Sequence, residues 1–242
     1  MGGGITMIHP YGFQIARGQF SSLSFHINKF GYNTAVGTSY EPITDLGTNV
    51  LPSAAGVVSI VSSSANDASA GTGARTIEVQ GLDTNYEEIT EVVTLTGVST
   101  VTTSASFLRI FRMKTLTAGS GLVNAGNITA SIGGSDIARI TAGEGQTLMG
   151  VYTVPANKTA YLLKFQASLS KNQEAQIELR TKSGSSGAAW QVKGKFGTFA
   201  NTVEYSYPIP LQITQKTDIQ FRAKAGATSE MGIVFDLVLE VL

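Results

Sequence analysis

The chain has 242 residues, with 17 Lys plus Arg against 17 Asp plus Glu and no cysteine. A thiol nucleophile, a thiolate-bound zinc, an iron–sulfur cluster and a disulfide framework are therefore excluded. With only 14% of residues charged and the two signs in balance, no electrostatic footprint exists for nucleic acid or an anionic membrane, and 27 glycines with many Ser, Thr, Asn and Gln suit a surface packed against protein neighbours.

The first residues, MGGGITMIHPYGF, carry neither a basic n-region nor a long apolar h-region, so they are not read as a secretory signal. MGGGIT is a formal match to an N-myristoylation pattern, but nothing else points to lipid, and no apolar run reaches the ~18 residues of a membrane span. Residues 1–45 form an irregular arm with one strand, marked by the alternation of Leu23, Phe25 and Ile27. Its aromatics, Phe13, Phe20, Phe30, Tyr32 and Tyr40, exceed what a solvated tail carries. Two readings follow: an edge strand on the chain's own core, or an arm docked on a neighbouring subunit through Phe13, Phe20 and Phe30.

Over 46–142, short strands alternate with Gly/Ser/Asn/Asp punctuation, which predicts a β-sandwich-like domain. The clearest signal is AGTGARTIEVQGLDTNYEEITEVVTLTG. Thr76, Ile77 and Val79 lead into a turn of Gly81, Asp83 and Asn85, and the return strand carries Ile89, Val92, Val93 and Leu95. Glu91 falls on the apolar face, so a bulge near Glu91 and Val92 is expected. FLRIFRMKTLT fits a bulged strand as well as a helical face.

From Gly143 the strands lengthen and alternate cleanly, predicting a jelly-roll-like sandwich over 143–242 with about seven or eight strands. The inward face takes Tyr161, Leu163, Phe165, Ala167 and Leu169, then Ile177 and Leu179, then Trp190, Val192 and Phe196. Val203, Tyr205 and Tyr207 share a side before Pro208 and Pro210 turn that stretch into an edge or corner. Ile219, Phe221 and Ala223 point in, as do Ile233, Phe235, Leu237, Leu239 and Val241. Val234 and Val238 sit on the outer face of the last strand, which suggests that this face is covered by a neighbouring subunit.

No constellation carries catalysis. His9 and His26 are far apart with no ligand spacing, and no G-x-S-x-G elbow accompanies them. Asp83, Glu87, Glu88 and Glu91 cluster about the hairpin turn, where solvated turn acids are commoner than a paired-acid site. Asn66-Asp67 lacks the calcium-loop pattern, and neither Gly71-Thr72-Gly73 nor Gly143-Glu144-Gly145 continues into a P-loop. Asn127-Ile128-Thr129 and Asn157-Lys158-Thr159 match glycosylation sequons. The expectation is a non-enzyme with no cofactor and no metal. Trp190, Tyr205 and Tyr207 are candidates for a glycan platform, although their core-facing parity favours packing.

HINKFGYN, SIVSSSANDASAGTGARTIEVQGLDTNYEEITEVVTLTG, VSTVTTSASFLRIFRMKTLTAGSGLVNAGNITASIGG and GQTLMGVYTVPANKTAYLLKFQASLS resemble phrases of a family of virion structural proteins of tailed, largely marine, bacteriophages. The likeness covers most of the chain and rests on phrases rather than a catalytic motif. It implies a non-enzymatic protein located on the virion, decorating or cementing the capsid, with other virion proteins of head or tail as partners. The alternative is a tail- or fibre-associated attachment protein with a carbohydrate-binding β-sandwich. A homo-oligomer is expected, a trimer first by analogy with viral jelly rolls, with neither nucleic acid nor membrane as partner.

Overall fold

The computed structural model describes residues 24–199 and 202–242, together with Gln14 and Arg17. Its described residues hold sixteen strands: β1 (Ser24–Val36), β2 (Glu41–Pro42), β3 (Gly56–Ser62), β4 (Ala74–Leu82), β5 (Glu88–Thr94), β6 (Val101–Phe107), β7 (Arg109–Ala118), β8 (Ile128–Ile132), β9 (Ser135–Ile140), β10 (Val151–Thr153), β11 (Lys158–Leu169), β12 (Glu174–Ser183), β13 (Gln191–Phe199), β14 (Val203–Ile213), β15 (Thr217–Ala225) and β16 (Ser229–Val241). The fold is all-β, and its four antiparallel sheets share two cores.

In the long-strand sandwich, a sheet of order β1-β16-β11-β14 shares a core with a sheet of order β10-β15-β12-β13, and β2 also pairs with β15. Phe165, Phe235 and Leu237 from the first sheet meet Ile177, Leu179 and Phe221 from the second. The short-strand sandwich is built from β6-β3-β8-β9 and β5-β4-β7. Its core is aliphatic around Val58, Ile60, Ile128, Ile77, Val79 and Met113, with Phe107 as the one fully aromatic contribution.

The chain thus enters the long-strand sandwich with β1 and β2, leaves it for β3 to β9, and returns with β10. Of the two readings of the arm, the pairing shows the edge strand: β1 runs antiparallel to β16 from Ser24 opposite Glu240 to Val36 opposite Ser229. Phe13 and Phe20 lie outside the described residues. Where the chain crosses between sandwiches it is woven into the second sheet. Ile43 N–H donates to the Phe221 carbonyl at 3.1 Å, Gly150 N–H to the Ile43 carbonyl at 2.8 Å, and Phe221 N–H to the Gly150 carbonyl at 3.1 Å. β1 passes so close that a Cβ on Gly31 would lie 2.1 Å from the Gly150 nitrogen, so only glycine fits.

A buried ion pair fastens the two sandwiches. Arg109, at the start of β7, donates through Nε to Asp218 Oδ1 at 2.8 Å and through Nη2 to Oδ2 at 3.1 Å. Thr153 Oγ1 donates to the same Oδ1 at 2.7 Å, and Arg109 Nη1 reaches the carbonyls of Pro52 and Leu108. Bidentate geometry, with four of the five guanidinium donors engaged, is what allows two charges to be held out of water.

Three expected registers are corrected. No bulge occurs at Glu91: β4 and β5 pair without a shift, and the Glu91 carboxylate stays on its face because it accepts the backbone N–H groups of Ser104 at 2.7 Å and Ala105 at 2.8 Å. In β11 a shift between Leu162 and Lys164 reverses the face, so Ala160 and Leu162 are buried while Tyr161 and Leu163 are only half-buried. A shift between Leu179 and Arg180 sets Val192 opposite Arg180, and Val192 is left exposed rather than inward. One inserted residue suffices for each reversal, because side chains alternate with period two. FLRIFRMKTLT is the bulged strand β7.

Candidate interaction surfaces

The acids singled out in the sequence are built into turns and edges. Asp83 Oδ1 accepts from the N–H groups of Asn85 at 2.8 Å and Glu87 at 2.9 Å, closing the β4–β5 turn, and Glu88 pairs with Lys158. Asp67 is fully buried and holds the loops of the short-strand sandwich. Its Oδ1 accepts from the N–H groups of Ala74 and Ala125, and its Oδ2 from Gly126 N–H and Ser62 Oγ, at 2.6 to 2.8 Å. Among the described residues no group of three or more His, Asp or Glu could hold a metal ion. His26 Nε2 donates to Asp236 Oδ1 at 2.9 Å, which also accepts from Asn28; His9 lies outside the described residues.

At the crossover, Asp45 receives the Leu148 N–H at a long 3.4 Å, and its Oδ1 is buried without a partner. Burial pushes its carboxyl up to about 7, against the opposing pull of Leu148 and Arg139.

The outer face of the β1-β16-β11-β14 sheet carries the expected subunit-contact residues. Phe30 and Val234 are cross-strand partners on that face. Val234 is 42% exposed, whereas Phe30 is half-buried with the Arg112 guanidinium 5.2 Å from its ring. Val238 is a correction: it is 3% exposed, flanked in register by His26 and Tyr161, so this chain already covers it.

A more prominent apolar residue went unmarked in the sequence reading. Ser206 pairs with Lys164 and Leu211 with Leu162, so residues 207–210 stand opposite Leu163 alone and bow out of the β14 edge. Ile209 is 84% exposed there between Pro208 and Pro210. The two prolines remove N–H donors from an edge strand and keep it from extending the sheet into another chain. The Pro-Ile-Pro triplet was the available signal.

The three aromatic candidates do not form one platform. Tyr205 and Tyr207 meet edge-on with centroids 4.8 Å apart, and Tyr205 packs on Phe196 at 4.9 Å and Phe165 at 6.0 Å, closing the side of the core. Trp190 instead lies beside Arg180, 4.2 Å from ring to guanidinium. On the outer face of the neighbouring sheet, Tyr40 has the cations of Arg222, Lys224 and Lys195 between 4.7 and 5.6 Å from its ring. Beneath them Glu178, 1% exposed, accepts from Arg222 Nε at 2.7 Å.

No family model matches the chain, and no curated protein matches it in sequence, so neither supports the bacteriophage family that its phrases resemble. Among solved structures it has weak similarity to infectious bursal disease virus. The structure of the Gt strain is 10% identical over 96% of this chain and 78% of that one, with a TM-score of 0.27. The VP2 subviral particle is 12% identical over 91% and 73%, with a TM-score of 0.22. Similarity at this level carries no inference for this chain.

Proposed function

We propose that the chain is a non-enzymatic structural protein of a tailed-bacteriophage particle that decorates or cements the capsid as a homo-oligomer, with a trimer as the leading form. The lineage rests on the phrases quoted above. The docking role rests on one structural observation: Ile209 is held in solvent on a proline-flanked bow of a sheet edge, a rigid apolar knob with little cost of ordering on contact. Val234 beside Phe30 offers a second apolar spot on a flat face. Oligomers are mostly closed and symmetric, and few surface charges mean little desolvation on burial.

The test is light scattering and incorporation into particles for the wild type, Ile209→Lys and Val234→Lys. Wild-type protein should scatter as an oligomer and load onto particles, and at least one variant should lose either property at unchanged melting temperature. A monodisperse wild-type monomer that still loads refutes the oligomer and leaves particle attachment standing. Loading by both variants at wild-type levels refutes these contacts.

The second reading, a tail- or fibre-associated attachment protein, draws on Tyr205, which keeps 39% of its surface in solvent within an aromatic cluster. A glycan array on the wild type and Tyr205→Ala separates it from a purely cementing role.

A further inference from the structure

Between the sandwiches, away from the surfaces just described, β1, β4, β5, β7 and β10 enclose a cleft of about 330 Å³. Its chemistry is unusual for a seam. Lys29 lies on the inward row of its sheet, in register with Phe235 and next along that row to Phe165. An apolar residue would fill this position without cost, yet a lysine stands there with 3% of its surface exposed. Its ammonium donates to the Phe111 carbonyl. Burial, and then the Arg112 charge, bring its amine down to about 7.

Arg112 lines the same cleft and donates to the Asn28 carbonyl at 3.2 Å. Both cations therefore find backbone carbonyls where a carboxylate is the stronger partner. The acid on the cleft wall, Glu88, is engaged by Lys158. Tyr152, 2% exposed, also lines the cleft, and its hydroxyl has no hydrogen-bond partner. A buried hydroxyl left unpaired is costly, and a ligand acceptor would remove the cost. Phe111 and Ile89 add apolar wall, and Gln80 adds amide donors and an acceptor.

We infer that this cleft binds a carboxylate-bearing sugar of the uronic acid class, with the carboxylate between Lys29 and Arg112, the Tyr152 hydroxyl donating to the ligand, and the C–H face of the ring against Phe111. The volume takes one monosaccharide, and cations for the acid with polar and apolar walls for the ring are what such a ligand requires. The inference stands apart from the virion assignment: an acidic-sugar site could serve a particle protein or any other.

The titratable and charged groups facing Lys29 in the cleft are Arg112 from β7, Glu88 from β5, Tyr152 from β10 and His26 from β1. A carboxylate placed among them favours the protonated amine, so binding near pH 8 should draw a proton from solution.

Isothermal titration of the full chain with galacturonate, and with galactose as the neutral control, tests the inference. Galacturonate should bind and galactose should not, and the galacturonate heat at pH 8 should vary with the ionisation enthalpy of the buffer. Arg112→Gln should weaken galacturonate at least tenfold. Lys29→Met should abolish the buffer dependence while raising the melting temperature, which separates lost binding from lost folding. No galacturonate binding at tens of millimolar, equal binding of galactose, or unchanged affinity in Arg112→Gln with a wild-type melting temperature overturns the inference.

Discussion

The two sandwiches solve the same problem with different means. In the long-strand sandwich the principal strands run 9 to 13 residues, and its centre is a train of aromatic rings: Phe165 packs on Phe221 at 5.1 Å, and Phe221 on Phe235 at 4.9 Å. In the short-strand sandwich the strands run 5 to 10 residues around aliphatic side chains, and a buried carboxylate, Asp67, gathers three backbone amides and a hydroxyl. Long strands bury enough apolar surface to define their own ends. Short ones need a polar tie, because loops that cover a small core must still satisfy their backbone groups.

If that contrast holds, damage should fall on different sandwiches. Arg109→Met leaves Asp218 buried and unpaired, and is expected to cost about 3 to 5 kcal/mol and to separate the two unfolding transitions in calorimetry. A single transition at the wild-type temperature would show that the ion pair does not couple them. Phe165→Ala should lose about 3 kcal/mol or more from the long-strand sandwich, while Lys164→Ala, next door and solvent-facing, should lose under about 0.5 kcal/mol. Equal losses would overturn the register. Asp67→Asn should cost about 2 kcal/mol, because an NH2 group replaces an acceptor facing amide donors, and hydrogen exchange should quicken in the short-strand loops alone.

Two effects beside the crossover run in opposite directions with pH. The Asp45 carboxyl is raised from the ordinary value near 3.9 to about 7 in the folded chain, so its contribution is fully present below pH ~4 and declines as pH rises to 7. Asp45→Asn should therefore gain melting temperature over the wild type across that window and keep the gain above it. Lys29 is lowered from about 10.4 to about 7, so between these values the unfolded chain holds the extra proton and stability rises with pH. Lys29→Met should show its largest gain below pH 7, shrinking towards pH 10. Melting curves across pH 4 to 10 check both, and parallel profiles for the two variants would contradict the assignment.

The same contrast governs what could be read from the sequence. β12, β15 and most of β16 were legible because apolar and polar residues alternate along them, although Val241, expected inward at the end of β16, is exposed, and the β4–β5 hairpin because its turn residues have few other uses. The bulges at Leu163 and at Lys193 were not, since an inserted residue shifts phase without changing composition. The Arg109–Asp218 pair spans 109 positions, and each residue alone looks like an ordinary surface charge on a strand. Asp67 was weighed for calcium and is a hub for amides, because its partners are backbone groups that no side-chain pattern announces. Lys29 fell on the apolar parity of β1, and a strand taken as part of an irregular arm gave no reason to ask why.

The detour of the chain through the short-strand sandwich sets a timetable for the ribosome. β1 is made first, yet its partner β16 comes last: His26 meets Asp236, 210 positions later. At roughly 5 to 20 residues per second, β1 waits about 10 to 40 seconds for the strand that completes it. The strands of the short-strand sandwich, β3 to β9, all emerge within that interval. During the wait, the polar residues of β1, among them His26, Asn28, Lys29 and Asn33, dilute its apolar run and make it a poor template for stray pairing between nascent chains.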